Sequence, residues 1–152
     1  MGLGSLFSST NIAGSGLSAE RMRMEVVANN IANAHSTRTT QGGPYRRQQV
    51  LFSAAMDQVS ANGSSTIGGQ IPQLNGVQIA GVVDDQTPLE KVFNPGHPDA
   101  DAEGFVEMPN VRLPTEMIDL MTANRAYEAN LKSLHTFRQM AEQALGLMRS
   151  NV

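Results

Sequence analysis

The sequence contains no cysteine. Disulfides and thiolate metal sites are therefore excluded. The absence fits a reducing cytosol, and it equally fits a chain that crosses compartments without cross-linking. Tryptophan is missing too, and aromatic residues are only 5% of the chain. Methionine is plentiful, a flexible packing residue common at adaptable contact surfaces. No run of about 18 apolar residues occurs, so no membrane-spanning helix is expected. The net charge of −3 is mild. It lacks the basic stripe that a nucleic-acid binder needs, so no nucleic-acid partner is expected. The N-terminus lacks a basic stretch followed by an apolar one, because Gly2, Ser5, Ser8, Ser9, Thr10 and Asn11 interrupt it. A cleavable secretory signal is not expected, and departure from the cytoplasm would need another route.

What is present falls into three zones. Residues 1–34 are rich in Ala, Met, Leu and Asn and hold no proline. Residues 35–113 hold six of the seven prolines, most of the glycines and several short β-branched runs. Residues 114–152 return to helix-forming composition. The expected fold class is α+β. Long N- and C-terminal helices pack as a coiled coil around a small β-rich middle domain.

In the first zone Leu6, Thr10, Ala13, Leu17, Glu20, Met24, Val27 and Ile31 follow an alternating 4-3 spacing. That spacing puts them on one stripe with a period of about 3.5. Its apolar members, Leu6, Ala13, Leu17, Met24, Val27 and Ile31, are the candidate N-terminal assembly seam. Gly14 and Gly16 each cost roughly 1 kcal/mol in a helix interior. The spacing therefore predicts a helix over about 17–33, with the part before Leu17 helical only when packed.

In the last zone Pro114 suits the start of a helix, where its missing N–H would be unpaired anyway. Glu116 and Asp119 follow near the positive end of the helix dipole. Met117, Leu120, Asn124, Tyr127, Leu131, Leu134, Arg138, Ala141, Leu145 and Met148 keep a 3-4 spacing. Such a sustained seam marks a coiled coil. At about 1.5 Å per residue the helix would span roughly 50 Å, more than a small domain covers, so its seam calls for a partner. Asn124 and Arg138 are its polar members, either solvated at the edge or fixing register and partner choice.

The middle zone predicts strands near 45–52, 77–83, 89–93 and 105–108. Residues 61–69 read as a Gly/Ser-rich flexible loop. Residues 94–104 are rich in turn formers, with two prolines fixing φ. Here His97, Asp99 and Asp101 alternate, with Glu103 nearby. Alternation on an extended segment makes a chelate conceivable, yet these are ordinary turn residues and no metal or other cofactor is assigned. His35 at the end of the first helix reads as a solvated or capping residue, and His135 as half-buried packing. There is no nucleophile elbow, phosphate loop or dinucleotide fingerprint, so the chain is expected not to be an enzyme.

Two stretches carry a resemblance. Asn29 and Asn30 sit in the run from Ala28 to Asn33, with Tyr45, Arg46 and Arg47 following. Further on, Asn94, Pro95, His97, Pro98 and Asp99 lead to Gly104 and Phe105, then to Met108, Pro109 and Asn110. The pattern continues through Glu116 and Met117 to the run from Ala123 to Asn130. Together these resemble the axial proteins of the bacterial flagellum, the rod and hook components, and within them the proximal rod subunits. Residues 54–88 carry no such motif and look like an insertion.

The resemblance implies a structural subunit of the periplasmic basal-body rod, serving motility. It implies export by the flagellar type III apparatus without signal cleavage. The implied partners are other proximal rod proteins, the rod-to-MS-ring junction protein, the distal rod protein and further copies in a helical array. Such substrates typically carry Phe followed by an apolar residue four positions on. Here Phe7 is followed by Asn11 at that distance, with Ile12 one further, so Phe7 and Ile12 form the candidate export element. Two competing readings are a coiled-coil adaptor forming small closed oligomers and a small metal-dependent hydrolase using His97, Asp99 and Asp101.

Overall fold

A computed structural model describes residues 3–40, 42–56 and 74–150, with side chains described for 8–40, 42–55 and 76–146. The element order is α1 (Leu3–Ala32), β1 (Gln48–Met56), β2 (Leu74–Asp84), β3 (Glu90–Phe93), β4 (Phe105–Met108) and α2 (Leu113–Ser150). Strands β1 and β2 pair in one two-stranded sheet, and β3 and β4 in another. Long helices at both ends with strands between them make an α+β chain. The expected loop at 61–69 lies outside the described residues. So do residues 57–73 of the stretch read as an insertion, which begins at the end of β1 and contains β2.

The chain divides into two compact units. One comprises Met1–Glu20, Phe52–Ala80 and Ala126–Val152, the other Arg21–Leu51 and Gly81–Arg125. In the first unit α1 is already helical well before Leu17, with Gly14 and Gly16 inside it. The sequence spacing alone leaves this segment weak, and tertiary contact explains the difference. A Cβ built on Gly16 would lie 3.0 Å from Nδ2 of Asn130 on α2, so the glycine lets the two helices approach closely. Ala13 and Ala19 are buried in the same unit. The start of β2 is also pinned to α1. The Ser15 hydroxyl donates to the Ile12 carbonyl at 2.7 Å and accepts the Val77 amide at 3.1 Å. Gly76 sits beneath at φ +99°, and a Cβ there would collide with the Ser15 side chain.

The second unit has a small apolar core of Val26, Val27, Ala34, Val106 and Ala123. Strands β3 and β4 are antiparallel, pairing Lys91 with Glu107, Val92 with Val106 and Phe93 with Phe105. The two Phe rings meet edge to face, their centroids 5.3 Å apart, a favoured arrangement for aromatic quadrupoles. The connection between the strands is closed by Asp101, whose carboxylate accepts the amides of Glu103 and Phe105 at 2.9 and 2.8 Å. Gly104 follows at φ +84°, packed against the Phe93 ring.

The end of α1 in this unit is capped. Past α1, the Asn33 amide side chain donates to the carbonyl and the side chain of Asn29, and accepts from the Ser36 hydroxyl. At the start of α2 the Arg112 carbonyl accepts the Glu116 amide at 3.0 Å. Pro114 therefore falls in the first turn, where no partner is needed for its nitrogen.

Candidate functional site

Two of the most buried side chains in the chain are polar. Asn30, near the end of α1, and Glu116, in the first turns of α2, are both fully shielded from solvent. Burial of such groups is tolerated only when their hydrogen bonds are made. Here they are. Asn30 Nδ2 donates to Glu116 Oε2 and to the Gln48 carbonyl, each at 2.9 Å. Asn30 Oδ1 accepts the Tyr45 hydroxyl at 2.8 Å and the Gln48 amide at 2.9 Å. All four bonding positions of one amide are filled.

Glu116 Oε1 takes the Nε–H of Arg47. The same guanidinium reaches Asp119 at 3.1 Å and Asp85 at 3.6 Å. Burial alone would lower the Arg47 pKa, but the hydrogen bond and charge of Glu116, with Asp119 and Asp85, raise it above the ordinary value. Asp119 is also 3.7 Å from Arg23 of α1. Asp85 is held below the usual carboxylate range, first by the hydroxyl and amide of Thr87 and then by Arg47. The Tyr45 phenol is pushed up by burial and by the nearby Asp84 and Glu116 charges.

Asn110 completes the hub. Its Oδ1 accepts the Arg47 amide at 2.7 Å, and its Nδ2 donates to the carbonyls of Asp85 and Thr87. One polar network therefore ties α1, the approach to β1, the exit from β2 and the start of α2. Such a network positions elements; it aligns no nucleophile with a base.

Of the motif residues, Asn30 and Asn110 lie in the hub and Asn29 and Asn33 form the α1 cap. The Asn94–Asp99 run lies apart. Asp99 accepts the Thr37 hydroxyl at 2.8 Å and pairs with Arg38 at 3.7 Å. His97 Nδ1 accepts the Asp99 amide. Among the described residues, no three His, Asp or Glu side chains are placed to hold a metal ion.

The seam positions are spread more widely. On α1, Ala13 and Val27 are buried, and Leu17, Met24 and Ile31 half-buried. On α2, Leu120, Tyr127 and Leu134 are half-buried, whereas Met117, Leu131 and Leu145 are exposed, as is Asn124. Ile12 is exposed. The side chains of Leu6, Phe7 and Met148 lie outside the described ones. Arg47, Glu116 and Asp119 are hub residues that periodicity does not single out. A signal existed in the arginine after Tyr45 and the acidic first turns of α2, but no spacing rule links them.

Comparison with known proteins gives the family. A family model described as flagella basal body rod protein matches residues 11–38. A second, described as flagellar basal body rod FlgEFG protein C-terminal, matches residues 102–147. The flagellar basal-body rod protein FlgC of Borreliella burgdorferi is 40% identical over 95% of this chain and 98% of its own length. The chain belongs to the FlgC family of flagellar basal-body rod proteins.

Its FlgC-family relatives in Escherichia coli O6:H1 and Bacillus subtilis are 42% and 37% identical, covering 90% and 91% of the chain and 93% and 95% of their own lengths. Asn30 falls within one matched segment, and Asn110, Glu116 and Asp119 within the other. The Asn30–Glu116 bond thus joins the two segments that the flagellar basal-body rod family models match. No described helix is long and apolar enough to cross a membrane.

Proposed function

We infer that this chain is a structural subunit of the proximal part of the flagellar basal-body rod, working mechanically through its two terminal helices. The observation that carries this reading is the 40% identity to a basal-body rod protein along 95% of the chain. Residues 1–34 and 114–152 would form the rod core, with α1 and α2 packing as a coiled coil, and residues 35–113 would brace lateral neighbours.

The seam of α2 supports the reading. Met117, Leu131 and Leu145 expose apolar surface in the single chain. Burying each such side chain against a neighbour stabilises by roughly 1.5–3 kcal/mol. A head-to-tail contact that does not close on itself extends into a helical array, the geometry of a shaft. Other proximal rod proteins, the rod-to-MS-ring junction protein and the distal rod protein are the partners expected along that shaft. The flagellar type III apparatus is the expected export route, with Phe7 and Ile12 as its candidate recognition element.

The test is motility. Leu131→Asp and Leu134→Asp should each abolish swimming in a strain dependent on the altered subunit, while the middle of the purified chain stays folded. Normal swimming by either variant would remove the seam from the mechanism.

A further inference from the structure

We propose that Met117 and Met121 form an oxidant-sensitive modification site whose conversion to methionine sulfoxide keeps a free subunit out of the rod. The consequence for assembly rests on the reading of α2 as a rod-core helix; the selectivity of oxidation does not.

The rotation of α2 is fixed from its inner side. Glu116 and Ala123 have no solvent exposure, and Asp119 is held by Arg47 and Arg23. On a helix with 3.6 residues per turn, that anchoring turns positions 117 and 121 away from the core, one above the other. Both thioethers are accordingly open, at 57% and 55% exposure, beside Ile118 at 60%. Leu113 extends the same apolar face. Of the other methionines with described side chains, Met140 is exposed at 42%, and Met22, Met24 and Met108 are half-buried. With no cysteine in the chain, methionine is the softest sulfur it offers to an oxidant.

The chemistry is a two-electron oxygen transfer from a peroxide. The thioether sulfur attacks one oxygen of hydrogen peroxide, the O–O bond breaks, and the sulfoxide and one water result. Sulfur is oxidised and the peroxide oxygens are reduced. The product is polar and chiral where the rod-core face was apolar, and a methionine sulfoxide reductase reverses it. A neighbour that packs on Leu113, Met117, Ile118 and Met121 would then meet two uncompensated S=O groups.

The experiment has three arms, read by site-resolved mass spectrometry. Purified full-length subunit is first treated with hydrogen peroxide. Met117 and Met121 should gain oxygen roughly tenfold faster than Met22, Met24 and Met108, with Met140 between. Equal rates would overturn the site. Isolated basal bodies are treated next. Protection of Met117 and Met121 there supports α2 as a covered rod-core face; oxidation at the free-subunit rate would overturn that reading, whatever the first arm shows. Last, swimming cells receive a peroxide pulse, and unincorporated subunit is compared with subunit in newly built basal bodies. Sulfoxide at these two positions should be enriched about tenfold in the unincorporated pool, and reductase treatment of that pool should remove it. Equal sulfoxide content in the two pools would overturn the block to assembly while leaving the rod-core reading intact.

Discussion

The side-chain amide of Asn30 donates to the Glu116 carboxylate at 2.9 Å, and neither residue reaches solvent. This bond joins the end of α1 to the beginning of α2 at the centre of the polar hub. Removing one side of a buried, charged interaction leaves the other without compensation. Glu116→Ala should therefore destabilise the chain by about 3 kcal/mol, because it removes the acceptor of the Arg47 Nε–H and one of the four hydrogen bonds of Asn30. Asn30→Ala should cost less, since Glu116 keeps Arg47. Urea unfolding of both single variants and the double variant should show strong non-additivity, with a coupling of about 1–3 kcal/mol. Simple additivity would mean that the two residues stabilise the fold separately.

Gly14 and Gly16 offer a matched pair two residues apart on α1. A Cβ on Gly14 meets nothing within 4 Å, whereas one on Gly16 approaches Asn130 to 3.0 Å. Gly14→Ala should stabilise by about 1 kcal/mol through helix propensity alone. Gly16→Ala should lose that gain or destabilise, and Asn130→Ala should restore it. Thermal melts of the four chains check this, and equal melting points for the two alanine variants would show that α1 and α2 do not approach closely at Gly16.

Asp85 sets a pH dependence whose sign follows from its lowered pKa. The folded chain holds the proton more weakly than the unfolded chain, whose Asp titrates near the ordinary value of 3.8. The stabilisation is full above that value and disappears as pH falls through the lower folded value. Asp85→Asn should thus reduce the urea midpoint at about pH 7, and the gap from the unaltered chain should close as pH falls through the lowered folded value. The alkaline side has the opposite sign. Tyr45 is raised above its ordinary 10.0, so its stabilisation is full below that value and declines as pH rises through the folded one. Tyr45→Phe should remove that decline.

Gly104 stands at φ +84°, and a Cβ there would press on the Phe93 ring at 2.9 Å. Gly104→Ala is therefore strained in both backbone and packing. It should open the β3–β4 hairpin, seen as faster amide exchange at Phe93 and Phe105. Gly96→Ala, with only a distant neighbour at 3.8 Å, is the contrasting variant and should leave exchange unchanged.

Much of the fold was legible because it is written in local spacing. The 3-4 rhythm from Met117 onward marks α2, and β-branched runs bounded by proline and glycine mark β2, β3 and β4. The early part of α1 was not legible, because the partner that makes Gly16 useful is Asn130, more than a hundred residues away. The hub was hidden for the same reason. Asn30 reads locally as a motif asparagine and Glu116 as a dipole-stabilising acid, and no periodicity brings them together. Met117 faces solvent, as a seam position that calls for a partner would, and the buried Glu116 and Ala123 fix this rotation of α2.

The Asn30–Glu116 bond spans 86 positions of chain. Closing a loop of that length has an entropic cost of about 4 kcal/mol before the contact returns anything. Its slowness is one of topology: Asn30 has to wait for a partner that emerges only after three quarters of the polypeptide, whichever compartment the chain folds in. Until then Asn30 has only its near partners Tyr45 and Gln48, and α2 has no fixed rotation. A chain threaded N-terminus first would stay pliable along most of its length and become rigid late, in a single cooperative step.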